Sequence, residues 1–462
     1  MKIGGDVIGS DTCIQSTLIL LYLETVPLQQ SMNTFSVWPG LANYLTRAVD
    51  RHEPFVLLDS WVEGDQSPQT HGSSYLGLFP KELIIIESSK SGDGLSSLLD
   101  VASSWGMGMV GYESHHHKFG LDVPTQGDPQ VWWIVPTTVL KFDLNSSTIE
   151  VELDEEGRAQ EVIDELSAEV DSTQKTKSIN KIIDWSSIEY KEYIKCIKDI
   201  KRAIFEGDTY EVNFTYPMRT TLQRHPIEWG ETLLREAKVP FSALVHAVQT
   251  PGQASSLDRM VISASPERFL KLEARTLSSE PIKGTLRRDD SMSDAQLKEA
   301  LKELDSEKNR AENLMIVDLV RHDFHSVCEP GSVVVPELFK KRSFGTVHQL
   351  ISTIQGRLPH GVGWIEAFES CFPMGSMTGA PKRAAMHLID KLENEPRGIY
   401  SGAIGYCKPN GDVDFNVVIR TVIIDLMTQE ARYHVGGAIT SDSDPASEWD
   451  ETKVKAQLVD KG

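Results

Sequence analysis

Strand-like runs in this chain follow one another directly, and the helical runs stand apart in blocks of their own. The β-rich stretches Pro54 to Leu58, Leu83 to Ile86, Met260 to Ser263 and Asp414 to Ile424 are separated by Gly-rich turns such as Trp105 to Gly111. Apolar positions at helical spacing gather instead at Ile194, Ile197, Ile200 and Ile204, and in Ser293 to Leu304, Asn309 to His322 and Ala446 to Leu458. A parallel βαβ winding needs strict alternation of strand and helix. Its absence predicts an α+β fold built in layers.

One compositional shift divides the chain. From Glu152 to Asp171 nine carboxylates surround the single Arg158, and the polar run Ser172 to Lys177 follows. That pattern predicts a solvated acidic linker over 152–177, ending an N-terminal unit of 1–175 before a second unit of 180–462. The formal charge of -21 repels phosphate backbones and anionic lipid, so no nucleic-acid or membrane partner is expected. Leu18 to Leu23 is too short an apolar run for a membrane span and reads as a strand; Met32 offers an alternative start, which leaves 1–31 open. Five scattered cysteines without a C-x-x-C pair fit a reducing cytoplasm.

The residues that promise chemistry lie in the second unit. Glu312 shares a helical face with Met315, Ile316 and Leu319, a spacing that marks a buried stripe. Glu451 stands likewise with Val454, Lys455 and Leu458. Two inward carboxylates on different helices suit Mg²⁺, whereas an exposed i,i+4 pair between Glu451 and Lys455 is the plainer reading of the second. Arg420 falls on the apolar face of a strand with Val418, Val422 and Ile424, where it either grips an anion or pairs internally. Gly375 to Lys382 and Gly436-Gly437-Ala438 are turns able to offer backbone N–H groups. Lys283 sits beside Gly284, either as a surface lysine or as a desolvated nucleophile. His115, His116 and His117 read as a solvated loop.

Ten motifs now stand in a recognisable order: GDTYEVNFT (207–215), SASPERF (263–269), PIKGT (281–285), NRAENLMIVDLVRHD (309–323), TVHQLISTIQG (346–356), FPMGSMTGAPK (372–382), YSGAIGY (400–406), FNVVIRT (415–421), VGGAITSDSDP (435–445) and EWDETKVKAQL (448–458). Together they resemble the chorismate-utilising enzymes, with thinner support from PFVLLDS, SSYLG and GMVGYE in the first half. The resemblance implies the fold of anthranilate synthase component I, with large antiparallel β-sheets packed as a sandwich and helices outside. Lys283 in PIKGT, where most subgroups carry Ala, is similar to the aminodeoxychorismate synthase component I subgroup, which aminates chorismate for p-aminobenzoate and folate and is classed with the transaminases.

That likeness implies a role for each matching residue. Lys283 would attack C2 of chorismate as the 4-hydroxyl leaves, Glu267 would protonate the hydroxyl, and Glu312 and Glu451 would hold Mg²⁺. Thr285, Tyr400, Arg420, Gly436, Gly437 and Lys455 would bind substrate. For Lys283 to act, its pocket lowers the amine's pKa by burial or the substrate takes the proton. Ammonia would come from a separate glutamine amidotransferase subunit, as a heterodimer. Some members bind tryptophan near positions matching Ser60, Ser74, Pro240, Phe241 and Ser242. Glu211, Asn309, His322, Gln349 and Ala384 depart from the family pattern, and Glu211 removes the lysine that activates water in isochorismate synthases. The rivals are anthranilate synthase component I and, further off, a non-catalytic chorismate- or tryptophan-binding regulatory protein.

Overall fold

The computed structural model describes residues 33–60, 73–87, 95–124, 127–168, 184–253, 256–287, 294–344 and 347–460. The strand expected at Leu18 to Leu23 and the end of the acidic run lie outside them. The strands are β1 (Phe55–Asp59), β2 (Ser73–Ile86), β3 (Gly106–Val110), β4 (Val131–Asp143), β5 (Thr148–Asp154), β6 (Glu211–Thr221), β7 (Phe241–Val248), β8 (Asp258–Ser265), β9 (Arg268–Glu273), β10 (Thr276–Glu280), β11 (Ile282–Arg287), β12 (Val334–Phe344), β13 (Val347–Arg357), β14 (Gly379–Ala380), β15 (Ala403–Cys407), β16 (Val413–Val417), β17 (Thr421–Asp425) and β18 (Glu430–Ile439).

Every pairing between these strands is antiparallel, and together they make one ladder with two leaves. The first leaf runs β14, β6, β18, β17, β8, β7, β1, β2. The second runs β4, β3, β15, β16, β9, β10, β13, β12, with β11 also on β13. The long strands β2 and β4 pair with each other and join the leaves. Side chains alternate faces along a strand, so each leaf can serve two cores. Val56, Val245 and Val261 of the first leaf meet Met109, Leu270, Ile404 and Phe415 of the second in one core. The alternate residues Leu57, Leu244 and Ile262 face a second core, closed by Leu41, Ile197, Leu233, Ile389 and Val459 of the outer helices. The α+β sandwich with helices outside is therefore present.

Pairing crosses the expected division of the chain, since β1 lies on β7 and β3 on β15. Four local expectations need correction. The acidic run is not a linker before Ser167: its start is strand β5, and Ala159–Ser167 is a helix that buries Val162, Ile163 and Leu166 while its carboxylates face water. Trp105 to Gly111 is no turn but the buried strand β3, whose glycines admit a neighbouring strand; a Cβ on Gly108 would stand 2.2 Å from Trp132 O. Asp414 to Ile424 is two strands, broken at Val418 to Arg420. His115 and His116 are buried against the protein rather than solvated, and His115 packs on Phe372.

Candidate active site

Lys283 lies in β11 opposite Leu350 of β13, and the register slips between Lys283 and Thr285. Gly284 makes this bulge possible with φ +76, and a Cβ there would stand 3.0 Å from Leu304 Cδ1 and 3.1 Å from Asn309 Nδ2. The Lys283 side chain is only 13 % exposed, and its Nζ donates to Oε1 of Glu211 at 3.1 Å. Glu211, the first residue of β6, is 2 % exposed, and its Oε2 has no hydrogen-bond partner among the described residues. Burial pushes the Lys283 amine down, but Glu211, Glu312 and Glu267 outweigh it and hold the pKa above the ordinary lysine value. Of the two expected routes to a free amine, lowering by burial is outweighed by these carboxylates, which leaves transfer of the proton to another group. The side chain of Thr285 lies outside the described residues.

Glu267 sits where β8 passes into β9, its backbone fixed by Ser265 Oγ at 3.2 Å and by the N–H of Val417 at 3.0 Å. Burial pushes its carboxyl up to about 7, against the pull of a hydrogen bond with Ser376 and of the charges on Lys283 and Arg420. Ser376 belongs to the Gly375 to Lys382 turn, and its carbonyl accepts from Asn213 Nδ2 at 2.9 Å. The turn therefore contributes a side chain as well as backbone, which its glycines did not announce. Arg420 is not on a strand face. It occupies the break before β17 with φ +53, its carbonyl bonded to the N–H of Ala264 at 3.1 Å. Its guanidinium makes no ion pair or side-chain hydrogen bond among the described residues, so the internal salt bridge considered for it is absent there.

On the other side, β18 lies on β6 and brings Gly436 opposite Thr215. Gly436 O accepts from Lys455 Nζ at 2.7 Å, and the same ammonium is 2.8 Å from Glu451 Oε1. Glu451 is 55 % exposed and Val454 is exposed too, because the helix Pro445–Asp460 buries the face of Glu448, Thr452, Ala456 and Val459 instead. The apolar stripe read around Glu451 is corrected accordingly. A Cβ on Gly437 would fall 3.4 Å from Lys455 Nζ, 3.7 Å from Glu448 Oε2 and 3.8 Å from Glu451 Oε1, so the missing side chain leaves a small cradle between these groups. Glu312, in the helix Glu307–Val327, is partly buried beside Lys308; burial raises its pKa, with Glu211 and Glu448 adding to the rise. Glu448 escaped the sequence reading, although its place three residues before Glu451 puts both on neighbouring positions of one helix face. Tyr400 is buried and stacks on His434 with ring centroids 4.6 Å apart.

A separate cavity of about 270 Å³ is lined by Asp59, Ser60, Pro240, Phe241 and Ser242. Ser74 braces its wall, donating to Asp59 at 3.0 Å and accepting from Ser60 N at 2.9 Å. Burial lifts the Asp59 carboxyl to about 6. The structure thus brings together all five residues expected around a second ligand.

With the geometry in place, comparison with known proteins is decisive on family. The profile of the family described as chorismate binding enzyme matches residues 81–460. The chain belongs to the chorismate-binding enzymes. Among curated relatives, aminodeoxychorismate synthase of Streptomyces griseus is 45 % identical over 266 residues, covering 57 % of this chain and 35 % of that protein. Aminodeoxychorismate synthase component 1 of Salmonella typhimurium is 40 % identical over 270 residues, covering 58 % of this chain and 56 % of that one. The chain thus spans between about a third and just over half of these relatives. The structure of anthranilate synthase component I from Streptococcus pneumoniae superposes with a TM-score of 0.72 at 26 % identity, covering 86 % of this chain and 93 % of that one. In this chorismate-binding enzyme, Arg420, Glu267, Lys283, Glu211 and Glu312 are linked by mutual charge, and Glu448, Glu451 and Lys455 continue the series.

Proposed function

We propose that this chain is the chorismate-aminating component of an aminodeoxychorismate synthase, replacing the 4-hydroxyl of chorismate with an amino group. The observation that carries the reading is the buried Lys283 ammonium set among Glu211, Glu267 and Glu312. A lysine among carboxylates and shielded from water is placed for covalent chemistry, whereas anthranilate formation, the reading favoured by the Streptococcus structure, has no use for a nucleophile there. Lys283 attacks C2. Glu267, with its carboxyl near 7, holds a proton at neutral pH for the departing hydroxyl. The unpaired Arg420 guanidinium, with Lys455, Tyr400 and the backbone of Gly436 and Gly437, receives the carboxylates of the substrate.

The donor set also fits Mg²⁺. Among the described residues no three His, Cys, Asp or Glu side chains form a closed metal cage. Glu451 and Glu448 border the cradle left by Gly437, and Glu312 feels the charge of Glu448; Glu312 and Glu451 would supply two carboxylates and leave the other positions to water and substrate oxygen, which is how Mg²⁺ is usually held. When bound, the ion would neutralise a substrate carboxylate and the charge of these glutamates.

Ammonia from a separate glutamine amidotransferase subunit completes the reading, supported by the name component 1 carried by the Salmonella relative. The second cavity is read as a tryptophan pocket, on its size and on Asp59 as partner for an amino group. A cytoplasmic setting is supported by the free thiols of Cys196, Cys328, Cys371 and Cys407, and among the described residues no helix is long and apolar enough to cross a membrane. The test is incubation with chorismate, MgCl₂ and ammonium chloride, with the products separated by mass. An aminated product that keeps its enolpyruvyl group supports the proposal; anthranilate with release of pyruvate refutes it.

A further inference from the structure

We propose that Glu211 is the proton store of Lys283, taking a proton from the amine as it attacks the substrate and returning it as the lysine leaves. This rests on the reading of Lys283 as the covalent nucleophile. Lys283 cannot attack carbon while it is an ammonium ion, and its Nζ, on a side chain only 13 % exposed and bonded to Glu211 Oε1 at 3.1 Å, faces a carboxylate rather than open water. The proton needs an acceptor within the site.

Three carboxylates surround the amine, and only one is placed for the task. Glu267 must carry a proton at the moment of attack in order to release the hydroxyl, so it cannot take another. Glu312 lies 3.8 Å from Lys308 and makes no hydrogen bond to Lys283 among the described residues. Glu211 already accepts a hydrogen bond from Nζ at 3.1 Å. It is anchored at the start of β6, where its strand neighbour is Ala380 of β14. It is also nearly sealed from water, and its second oxygen, Oε2, is buried with no partner among the described residues. A buried carboxylate oxygen without a donor is costly, and a catalytic task in which that oxygen gains a donor accounts for its retention.

The steps balance. Lys283 Nζ gives one proton to Glu211, which becomes a neutral acid. The freed lone pair forms the N–C2 bond, the two ring double bonds each move one position toward C4, and the C4–O pair leaves with the hydroxyl, which takes the Glu267 proton and departs as water. The adduct is a secondary ammonium, facing a neutral Glu211 and an ionised Glu267. Ammonia then bonds to C4, the double bonds move back, and the C2–N pair returns to Lys283 as a free amine. Glu267 removes a proton from the new C4 ammonium, and Glu211 reprotonates Lys283. Both glutamates end as they began, and the net change is exchange of hydroxyl for amino with release of water.

Glu211→Gln keeps the shape and an acceptor for Nζ but cannot store the proton. The full chain is mixed with chorismate and MgCl₂ without ammonium, quenched over time, and the adduct of chorismate less water on the Lys283 peptide is counted by mass. The wild type should label quickly. Glu211→Gln should bind chorismate within about threefold of wild type yet label at least ~100-fold more slowly, the usual worth of a proton acceptor. In Glu211→Ala, added formate should restore labelling in proportion to its concentration, a response that a role in packing alone cannot give. Labelling of Glu211→Gln within threefold of wild type overturns the inference while leaving the function intact, and so does a slow Glu211→Ala that formate leaves unchanged. Absence of the adduct in the wild type overturns both.

Discussion

Replacing Glu267 by Gln should make the protein more stable while abolishing its chemistry, and the gain should grow with pH. Burial holds the Glu267 carboxyl at about 7, against an ordinary 4.5. A raised carboxyl means that the folded state binds the proton more tightly than the unfolded chain does. Below pH 4.5 both states are protonated and nothing is lost. As pH climbs from 4.5 to 7 the unfolded chain ionises freely and the folded one resists, so wild-type stability falls across that window. At about 1.36 kcal/mol per pH unit, the deficit is about 1 kcal/mol at pH 5 and about 3 kcal/mol at pH 7, and it levels off above that. Glutamine has nearly the same volume, keeps a hydrogen-bonding partner for Ser376 and carries no charge to desolvate, so Glu267→Gln should recover the deficit. Urea unfolding of both proteins at pH 5, 6, 7 and 8 reads it directly. A stability difference that stays flat with pH, or a variant less stable than wild type at pH 8, would show that Glu267 is not held protonated by burial. The cost of an uncomfortable carboxyl would then have no bearing on its role as an acid.

Other outcomes follow from the same geometry. Gly284→Ala, forced into positive φ and pressed on Leu304 and Asn309, should lower stability by ~1–2 kcal/mol and displace Lys283, seen as a reduced melting temperature together with lost chorismate labelling. Glu451→Gln breaks an exposed ion pair worth under ~1 kcal/mol, so its melting curve should barely move while Mg²⁺-dependent turnover collapses; a full rate would assign Glu451 to the surface. Arg420→Gln removes a cation that makes no ion pair or side-chain hydrogen bond among the described residues, so chorismate KM should rise at least tenfold, and an unchanged KM would point to another anchor. The purified chain should turn over with ammonium salts and use glutamine only once an amidotransferase subunit is added; glutamine use by the chain alone would contradict that division.

Much of this was legible in the sequence wherever the signal was local. The Ile194 to Ile204 helix, the helix bearing Glu312 and the strand nature of Met260 to Ser263 rest on spacings of a few residues, and all three are present. Arg420 shows how a local pattern misleads: its neighbours alternate like a strand, but one residue at φ +53 turns the chain and frees the guanidinium. The acidic run misled differently, because nine carboxylates hid the helical spacing of Val162, Ile163 and Leu166. Glu211 was visible only as a departure from a family pattern. That its carboxylate meets Lys283 depends on two strands, β6 and β11, that are not neighbours in the ladder, and no periodicity records such a meeting. Which of the two routes frees the Lys283 amine was left open for the same reason, since burial is legible in sequence and the company a buried group keeps is not.

The pairing of β1 with β7 sets a timetable for biosynthesis. Glu53 O accepts from His246 Nδ1 across 193 residues of chain, and β1 has β7 along one edge. At roughly 5–20 residues per second, a ribosome delivers that partner about 10–40 s after β1 has emerged. For that interval Phe55, Val56 and Leu57, fully buried in the finished protein, have no sheet edge to join on that side. Synthesis in the cell therefore depends on holding an apolar edge apart from its copies until the β7 segment has been made, and yield should respond to translation speed and chaperone supply.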